Sequence, residues 1–259
     1  MGVALPPGYR SLTALDRDAH AGLRVAPCAS RFAGSLECVY VSVAEFFAAA
    51  RDYPLVFTRG PEGAIWPVAV LGLQAGQNLF LGAGGTWCAG VYVPAYVRRY
   101  PFYPAYGVVP AGKRAGRHRP GEDDRGDMRG EIVICVDESG LVPGKPGLFD
   151  PLPGGKAPIE AYRSLVSEME GAARGTERLC RRLVSLDLLE PFEAQVHRQE
   201  GAAFRLGAME RVSETRLNAL SGDTLAGLAN EGALSRIYAH LWSLESFGRL
   251  LRRAEGTRT

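Results

Sequence analysis

The sequence has little lysine and no long apolar run. Its basic residues are almost all arginine, because only Lys113, Lys145 and Lys156 are lysines, and the formal net charge is only +2. A general nucleic-acid binder carries a strong basic excess, so we predict no nucleic-acid partner. The longest apolar stretch in the middle of the first half, residues 68–73, is far shorter than the ~20 residues of a membrane helix. We therefore predict no membrane insertion.

The cysteines also lack any paired pattern. Their number is odd and no two form a C-x-x-C pair, which argues against a disulfide framework and against a zinc site. Free thiols are typical of a reducing compartment. The N-terminal residues show no basic start followed by an apolar run, so a signal peptide is not indicated. We expect a cytoplasmic protein with free cysteines at Cys28, Cys38, Cys88, Cys135 and Cys180.

Motifs for catalysis, metals or nucleotides are missing as well. The glycine-rich residues 82–90 fit the spacing of neither G-x-x-x-x-G-K-[ST] nor G-x-G-x-x-G, the two common phosphate-binding motifs. We therefore predict that these glycines are turn residues. The four histidines are scattered, and His240, beside an apolar stripe, is predicted to be structural. Glu45 lies in a short apolar segment, where a place on the polar face is favoured over a half-buried acid with a shifted pKa. We predict no cofactor and no metal site, assign no catalytic residue, and favour a protein that is not an enzyme.

The composition changes along the chain. Short runs rich in Val, Phe and Tyr, broken by Gly and Pro, predict strands in residues 20–137. Leu, Ala, Glu and Arg at helical spacing predict helices in residues 157–254, after a linker at 138–156. The expected fold is α+β, a β-rich N-terminal part with hairpins packed against a mainly helical C-terminal part, in a single domain over 1–259. The charged, Gly- and Pro-rich residues 110–130 predict a mobile surface loop.

Two hairpins are predicted. Residues 66–73 form an arm that is apolar on both faces, which indicates a covered strand, and residues 79–81 return after a turn. Partial alternation in residues 192–206, with a turn at 200–201, predicts the second hairpin.

Two long helical patterns follow the linker. Residues 158–189 carry one apolar face, and Gly171 and Gly175 are expected to bend or divide that helix. Residues 233–253 carry a strong apolar stripe that includes Tyr238. Such a stripe is typical of core packing.

Residues 87–106 concentrate aromatic rings around two arginines. Aromatics with arginine recognise a carboxylate, a phosphate or a stacked ring, and they are enriched at protein interfaces. An alternative interpretation is a short helix and turn whose aromatics pack into the core, with one arginine paired to an acid. The predicted ligand-binding residues are Trp87, Tyr92, Tyr96, Arg98, Arg99 and Tyr100.

Several stretches together resemble the SapC-like family of bacterial proteins. They are YPLVFTR at 53–59, PVAVLGLQAGQNLFL at 67–81, TW at 86–87, YVPAYVRRYPF at 92–102, LFD at 148–150 and RVSETRLNALSGDTLAGLANEGALSRIYAHLWSLESFGRL at 211–250. The resemblance covers most of the chain.

The resemblance implies a link to the bacterial surface layer, with which the family's namesake is associated. Relatives also tend to sit beside flavin-dependent tryptophan halogenases and outer-membrane receptors. We therefore expect an accessory protein that binds a peptide, a protein or an anionic small molecule. The alternative is an enzyme that acts alongside such a halogenase or on a surface polymer. That alternative predicts a concave pocket holding Arg98 or Arg99 beside an acid or histidine with a shifted pKa. Neither the ligand nor the oligomeric state follows from the sequence.

Overall fold

The computed structural model describes residues 5–60, 63–106, 132–196 and 204–256. The strands are β1 Thr13–Ala14, β2 Leu23–Val25, β3 Cys38–Tyr40, β4 Leu55–Arg59, β5 Ile65–Val70, β6 Phe102–Tyr106, β7 Ile132–Val136, β8 Leu141–Pro143, β9 Leu189–Val196 and β10 Phe204–Val212. The helices are α1 Arg17–His20, α2 Phe46–Ala50, α3 Ala95–Arg98, α4 Pro158–Ser185, α5 Glu214–Asn218, α6 Gly222–Asn230, α7 Ala233–Ser243 and α8 Ser246–Gly256. The fold is α+β, as predicted. The predicted loop at 110–130 lies entirely within residues 107–131, outside the described residues.

The chain divides into two compact units. Unit 1 takes its described residues from Met1–Ala33, Ala83–Thr86 and Val97–Glu170, and unit 2 takes the others. The single domain predicted from the sequence stays a prediction. Among the helices of the described ranges, none combines the length and the hydropathy of a membrane-spanning segment.

The described residues of unit 1 form two small antiparallel sheets. One has the strand order β1-β7-β6, and the other pairs β2 with β8. The buried side chains of Phe102, Val136, Leu148 and Ile159 form a core to which the strands and the start of α4 both contribute. Burial of such apolar side chains stabilises this small unit, because each contributes roughly 1.5–3 kcal/mol.

Unit 2 is built on a five-stranded antiparallel sheet with the order β3-β5-β4-β10-β9. Helix α7 packs against β4 and β10, and α2 packs against α7. Strand β5 is an interior strand and five of its six residues are buried, as expected from a run that is apolar on both faces. The second predicted hairpin is confirmed as β9 and β10, although its predicted turn at 200–201 lies outside the described residues.

The first predicted hairpin paired the wrong segments. Strand β5 forms its hairpin with β4, which precedes it, and its other edge pairs with β3. A strand has only two hydrogen-bonding edges, so residues 79–81 cannot join β5. They instead donate one backbone bond from Leu79 to Leu71 and form an isolated bridge between Leu81 and Trp87.

The helical predictions were right in part. Helix α4 runs without interruption through Gly171 and Gly175. The predicted last helix over 233–253 was wrong, because α7 ends at Ser243 and α8 begins at Ser246. The break lets α7 pack on β4 and β10 while α8 packs on β9. Tyr238 does not belong to the core stripe, since it is 54% exposed.

Candidate functional site

The predicted binding segment is divided between the two units. Trp87, Tyr92 and Tyr96 belong to unit 2. Arg98, Arg99 and Tyr100 belong to unit 1. Tyr96, Arg99 and Tyr100 are buried, Trp87 and Tyr92 are half-buried, and Arg98 is exposed.

In unit 2, hydrogen bonds tie the aromatic residues to the core. The Trp87 indole donates to the Tyr53 hydroxyl at 2.9 Å, and that hydroxyl donates to the Tyr92 carbonyl oxygen. The Phe80 ring meets the Tyr53 ring edge-on and lies nearly parallel to Trp87, with centroids 4.6 Å and 6.3 Å away. Burial raises the pKa of Tyr53, so its hydroxyl keeps its proton. The polar atoms of Trp87 and Tyr53 therefore hold the fold together.

Glu45 is a buried structural acid, and the prediction that it lies on the polar face was wrong. Its Oε2 accepts from the Ser42 amide and hydroxyl, both at 3.0 Å. Its Oε1 accepts from the Ala95 amide at 2.7 Å and from the Tyr92 hydroxyl at 3.1 Å. These four bonds compensate for burying a charge next to a short apolar helix. The bonds from Tyr92 and Ala95 could not be predicted from the sequence pattern, because these residues lie far away in the chain.

In unit 1, the other half of the segment is also built into a core. The buried Arg99 guanidinium lies 4.3 Å from the centroid of Tyr103 and hydrogen-bonds the Tyr9 hydroxyl. The Tyr100 ring stacks on Phe32 with centroids 4.0 Å apart. This arrangement matches the core-packing interpretation of these side chains. The ligand-binding role of the segment remains a prediction.

Asp137 is a second fully buried acid with structural partners. Its carboxylate accepts from the Arg10 amide at 2.7 Å, from the Ser11 hydroxyl at 3.3 Å, and from the amide and hydroxyl of Ser139 at 3.1 and 2.7 Å. These bonds fasten the residues before β1 to the end of β7. Asp137 therefore acts as an anchor.

His240 is a buried structural histidine, as predicted. Its Nε2 accepts from the Val212 amide at 3.0 Å, and its Nδ1 lies 2.8 Å from the Leu55 carbonyl oxygen. Both contacts are satisfied by the neutral tautomer that carries its proton on Nδ1. Burial lowers the pKa of His240 to about 4, a shift that the Leu55 carbonyl opposes and that Arg211 adds to. The ring joins α7 to β4 and β10.

A cleft of about 230 Å³ opens in unit 1, and its lining contains none of the predicted binding residues. Its apolar lining comes from Leu15, Phe149, Ala157 and the buried Ile159, and its charged lining from Arg17, Glu160 and Arg163. Three pieces of chain form it: the residues that open α1, the residues before α4, and the first turns of α4. Spacing and periodicity do not reveal this site, because Leu15 and Arg17 lie more than 130 positions before the other lining residues. Only the LFD motif at 148–150 touched the site.

Backbone bonds fix the walls of the cleft. The Leu15 amide donates to the Ile134 carbonyl oxygen at 2.8 Å, and the Ile159 amide donates to the Leu148 carbonyl oxygen at 3.0 Å. The Asp16 side chain caps α1 and so sets the position of Arg17 at its first residue. The cleft is therefore preformed.

The charged groups of the cleft differ in their hydrogen bonds and ion pairs. Arg163 donates to Glu160 Oε1 at 3.0 Å, and both side chains are half-exposed. The Arg17 guanidinium lies 5.9 Å from the Phe149 centroid, and it makes no ion pair or hydrogen bond with any other described residue. The N-terminus of the 28-residue helix α4 adds positive potential nearby. The cleft can hold a small ligand that combines an anionic group with an apolar part.

Within the part of the chain that the structure describes, no three His, Cys, Asp or Glu side chains are grouped as metal ligands would be. All five cysteines are free, and Cys28 is exposed.

Comparison with known proteins identifies the family. The family model described as SapC matches residues 15–250, nearly the whole chain. No curated protein and no solved structure matches the chain. The matched region contains every stretch that carries the resemblance and all the residues of the cleft. The chain belongs to the SapC family.

Proposed function

We propose that this SapC-family chain is a non-catalytic binding protein that holds a small anionic molecule in the unit 1 cleft. The observation that carries the proposal is Arg17, an arginine at a preformed cleft whose guanidinium donors are used by no other described residue. A planar guanidinium pairs well with a carboxylate or a phosphate.

The remaining lining supports a ligand that is anionic at one end and apolar at the other. Arg163 and the start of α4 add positive charge beside Arg17. Leu15, Phe149 and Ile159 provide an apolar floor continuous with the unit 1 core. The volume of about 230 Å³ lies below the roughly 300–1,000 Å³ typical of pockets for drug-sized ligands, which favours a smaller molecule.

The buried ionisable groups support binding over catalysis. Glu45 and Asp137 each accept several hydrogen bonds from fixed donors, and both ring nitrogens of His240 contact the backbone. A general acid or base must exchange its proton with a substrate, so groups held in this way suit an anchoring role. A carboxylate ligand needs none of them, because guanidinium contacts suffice.

Two wider aspects belong to the proposal. A cytoplasmic location is supported by the five free cysteines, which a reducing compartment would preserve. A role in surface-layer or envelope processes, with a protein or peptide partner, is supported by the family resemblance. The half-buried Trp87 and Tyr92 and the exposed Arg98 are the members of the predicted segment that such a partner could reach.

Isothermal titration calorimetry with 4-methylpentanoate and its neutral amide tests the function. We expect the acid to bind roughly tenfold more tightly than the amide, because only the acid forms charge-assisted hydrogen bonds. Arg17→Gln should weaken binding of the acid by a similar factor. Arg181→Gln is the control, since Arg181 is an arginine on α4 that lies outside the cleft, where it pairs with Glu177. Equal affinity for acid and amide, or an Arg17→Gln protein that binds like the control, would overturn the proposal.

A further inference from the structure

We infer that the ligand of the unit 1 cleft is a zwitterion, an α-amino acid with a leucine-sized apolar side chain. The inference rests on the proposed function, since it needs an anion at Arg17. It adds a second requirement, a positive charge on the same small molecule. The feature that points to this charge is Glu160, a carboxylate that lines a cleft otherwise suited to anions.

Glu160 keeps part of its hydrogen-bonding capacity. Its Oε1 accepts from Arg163 at 3.0 Å, while its Oε2 accepts no hydrogen bond from another described residue. A carboxylate has about four acceptor positions, so one bond leaves most of them for a ligand. For a simple anion, Glu160 would be a repulsive neighbour. For an ammonium group, it is the natural acceptor.

The lining therefore offers three complementary elements within one small volume. Arg17 presents donors for a carboxylate, Glu160 presents an acceptor for an ammonium group, and Leu15, Phe149 and Ile159 present an apolar surface. An α-amino acid carries its carboxylate and ammonium group on one carbon and its side chain beside them. A volume of about 230 Å³ favours a compact aliphatic side chain.

Three probes with the same branched carbon chain separate these elements. L-Leucine carries both charges, 4-methylpentanoate lacks the ammonium group, and 3-methylbutylamine lacks the carboxylate. We expect leucine to bind roughly tenfold more tightly than either single-charge probe by calorimetry, because charged partners strengthen hydrogen bonds. In Glu160→Gln, leucine and 4-methylpentanoate should become equal within about threefold.

The control for this change is Glu177→Gln, which removes the equivalent glutamate–arginine pair elsewhere on α4 and should leave the preference for leucine intact. If 4-methylpentanoate binds wild-type protein as tightly as leucine, or if Glu160→Gln keeps the full preference, the zwitterion inference is wrong while the anion-binding function stands. If neither carboxylate binds in a manner that depends on Arg17, the proposed function fails and the inference fails with it.

Discussion

Arg99 and Arg17, both in unit 1, each lie over an aromatic ring. The Arg99 guanidinium is 4.3 Å from the Tyr103 centroid, and the Arg17 guanidinium is 5.9 Å from the Phe149 centroid. Arg99 is buried and hydrogen-bonded to the Tyr9 hydroxyl, whereas Arg17 is exposed and has no hydrogen bond or ion pair with another described residue.

The difference shows what aromatic–arginine composition cannot distinguish. In the segment at 87–106, rings and guanidinium hold the fold together, because their polar atoms are used by Tyr9, Tyr53 and Glu45. In the cleft, Arg17 and Phe149 are separated by a long stretch of chain, and the guanidinium donors of Arg17 remain for a ligand. An arginine or aromatic residue stabilises the fold when its hydrogen-bonding groups contact other residues of the protein, and it can bind a ligand when those groups do not.

The largest effect is expected from removing the buried carboxylate that anchors the segment. Glu45→Ala removes the carboxylate that accepts from the Ser42 and Ala95 amides and from the Tyr92 hydroxyl, and should lower the free energy of unfolding by about 3 kcal/mol. Urea unfolding measures it. The control is Glu168→Ala on the exposed side of α4, with a change within about 0.5 kcal/mol. Equal stability of the two variants would contradict the anchoring role.

The second effect concerns pH and tests the anchor in unit 2. The pKa of folded His240 is lowered from its ordinary 6.5 to about 4, so as pH falls the unfolded chain binds this proton first. The contribution to stability is complete above pH 6.5 and is lost as pH falls towards 4, by about 3 kcal/mol in total. Unfolding free energies measured across this range should show the loss.

His240→Gln separates this contribution from that of other groups. Glutamine can hydrogen-bond the Val212 amide but does not titrate, so the variant is expected to lose less stability between pH 6.5 and 4 than the wild type. The pKa of Glu190 is lowered mainly by its hydrogen bond to Ser213. Its titration affects the stability of both proteins alike at the lower end of the pH range. Identical pH profiles for the two proteins would show that His240 is not the titrating anchor.

Much of the fold was predictable from local pattern. Strands β2, β3, β4 and β7 and the hairpin of β9 and β10 follow from β-branched and aromatic runs between turn residues. Strand pairing was harder to predict from the sequence, because the pattern of β5 does not reveal that β3 pairs with one of its edges. The break between α7 and α8 was missed for a similar reason. A single stripe cannot show that its two halves pack on different strands.

The sequence predicted the kind of residues in the candidate site but not their positions. The sequence led to a binding role and to arginine beside aromatic rings, yet it placed them at 87–106. The cleft brings Leu15 and Arg17 together with residues 149–163, and such long-range proximity leaves no mark in spacing or periodicity. Glu45 was misplaced for the same physical reason, since its partners Tyr92 and Ala95 are distant in sequence.

The third effect separates two adjacent arginines. Arg99→Ala removes a buried guanidinium from Tyr103 and Tyr9 and should destabilise the protein by about 2 kcal/mol. Arg98→Ala changes an exposed side chain and should stay within about 0.5 kcal/mol. Thermal unfolding of both variants provides the measurement. A loss for Arg98→Ala as large as that for Arg99→Ala would mean that burial does not distinguish the two.

The smallest effect on stability is expected at Arg17, and a small value would distinguish Arg17 from the structural Arg99. Because Arg17 is exposed and its guanidinium makes no hydrogen bond or ion pair with another described residue, Arg17→Gln should change the free energy of unfolding by no more than about 0.5 kcal/mol. The same substitution should weaken binding of 4-methylpentanoate roughly tenfold, since a charge-assisted contact is lost. Urea unfolding and calorimetry on one protein preparation give both values. A stability loss comparable to that of Arg99→Ala, without a loss of binding, would make Arg17 another anchor and would remove the distinction between the two arginines.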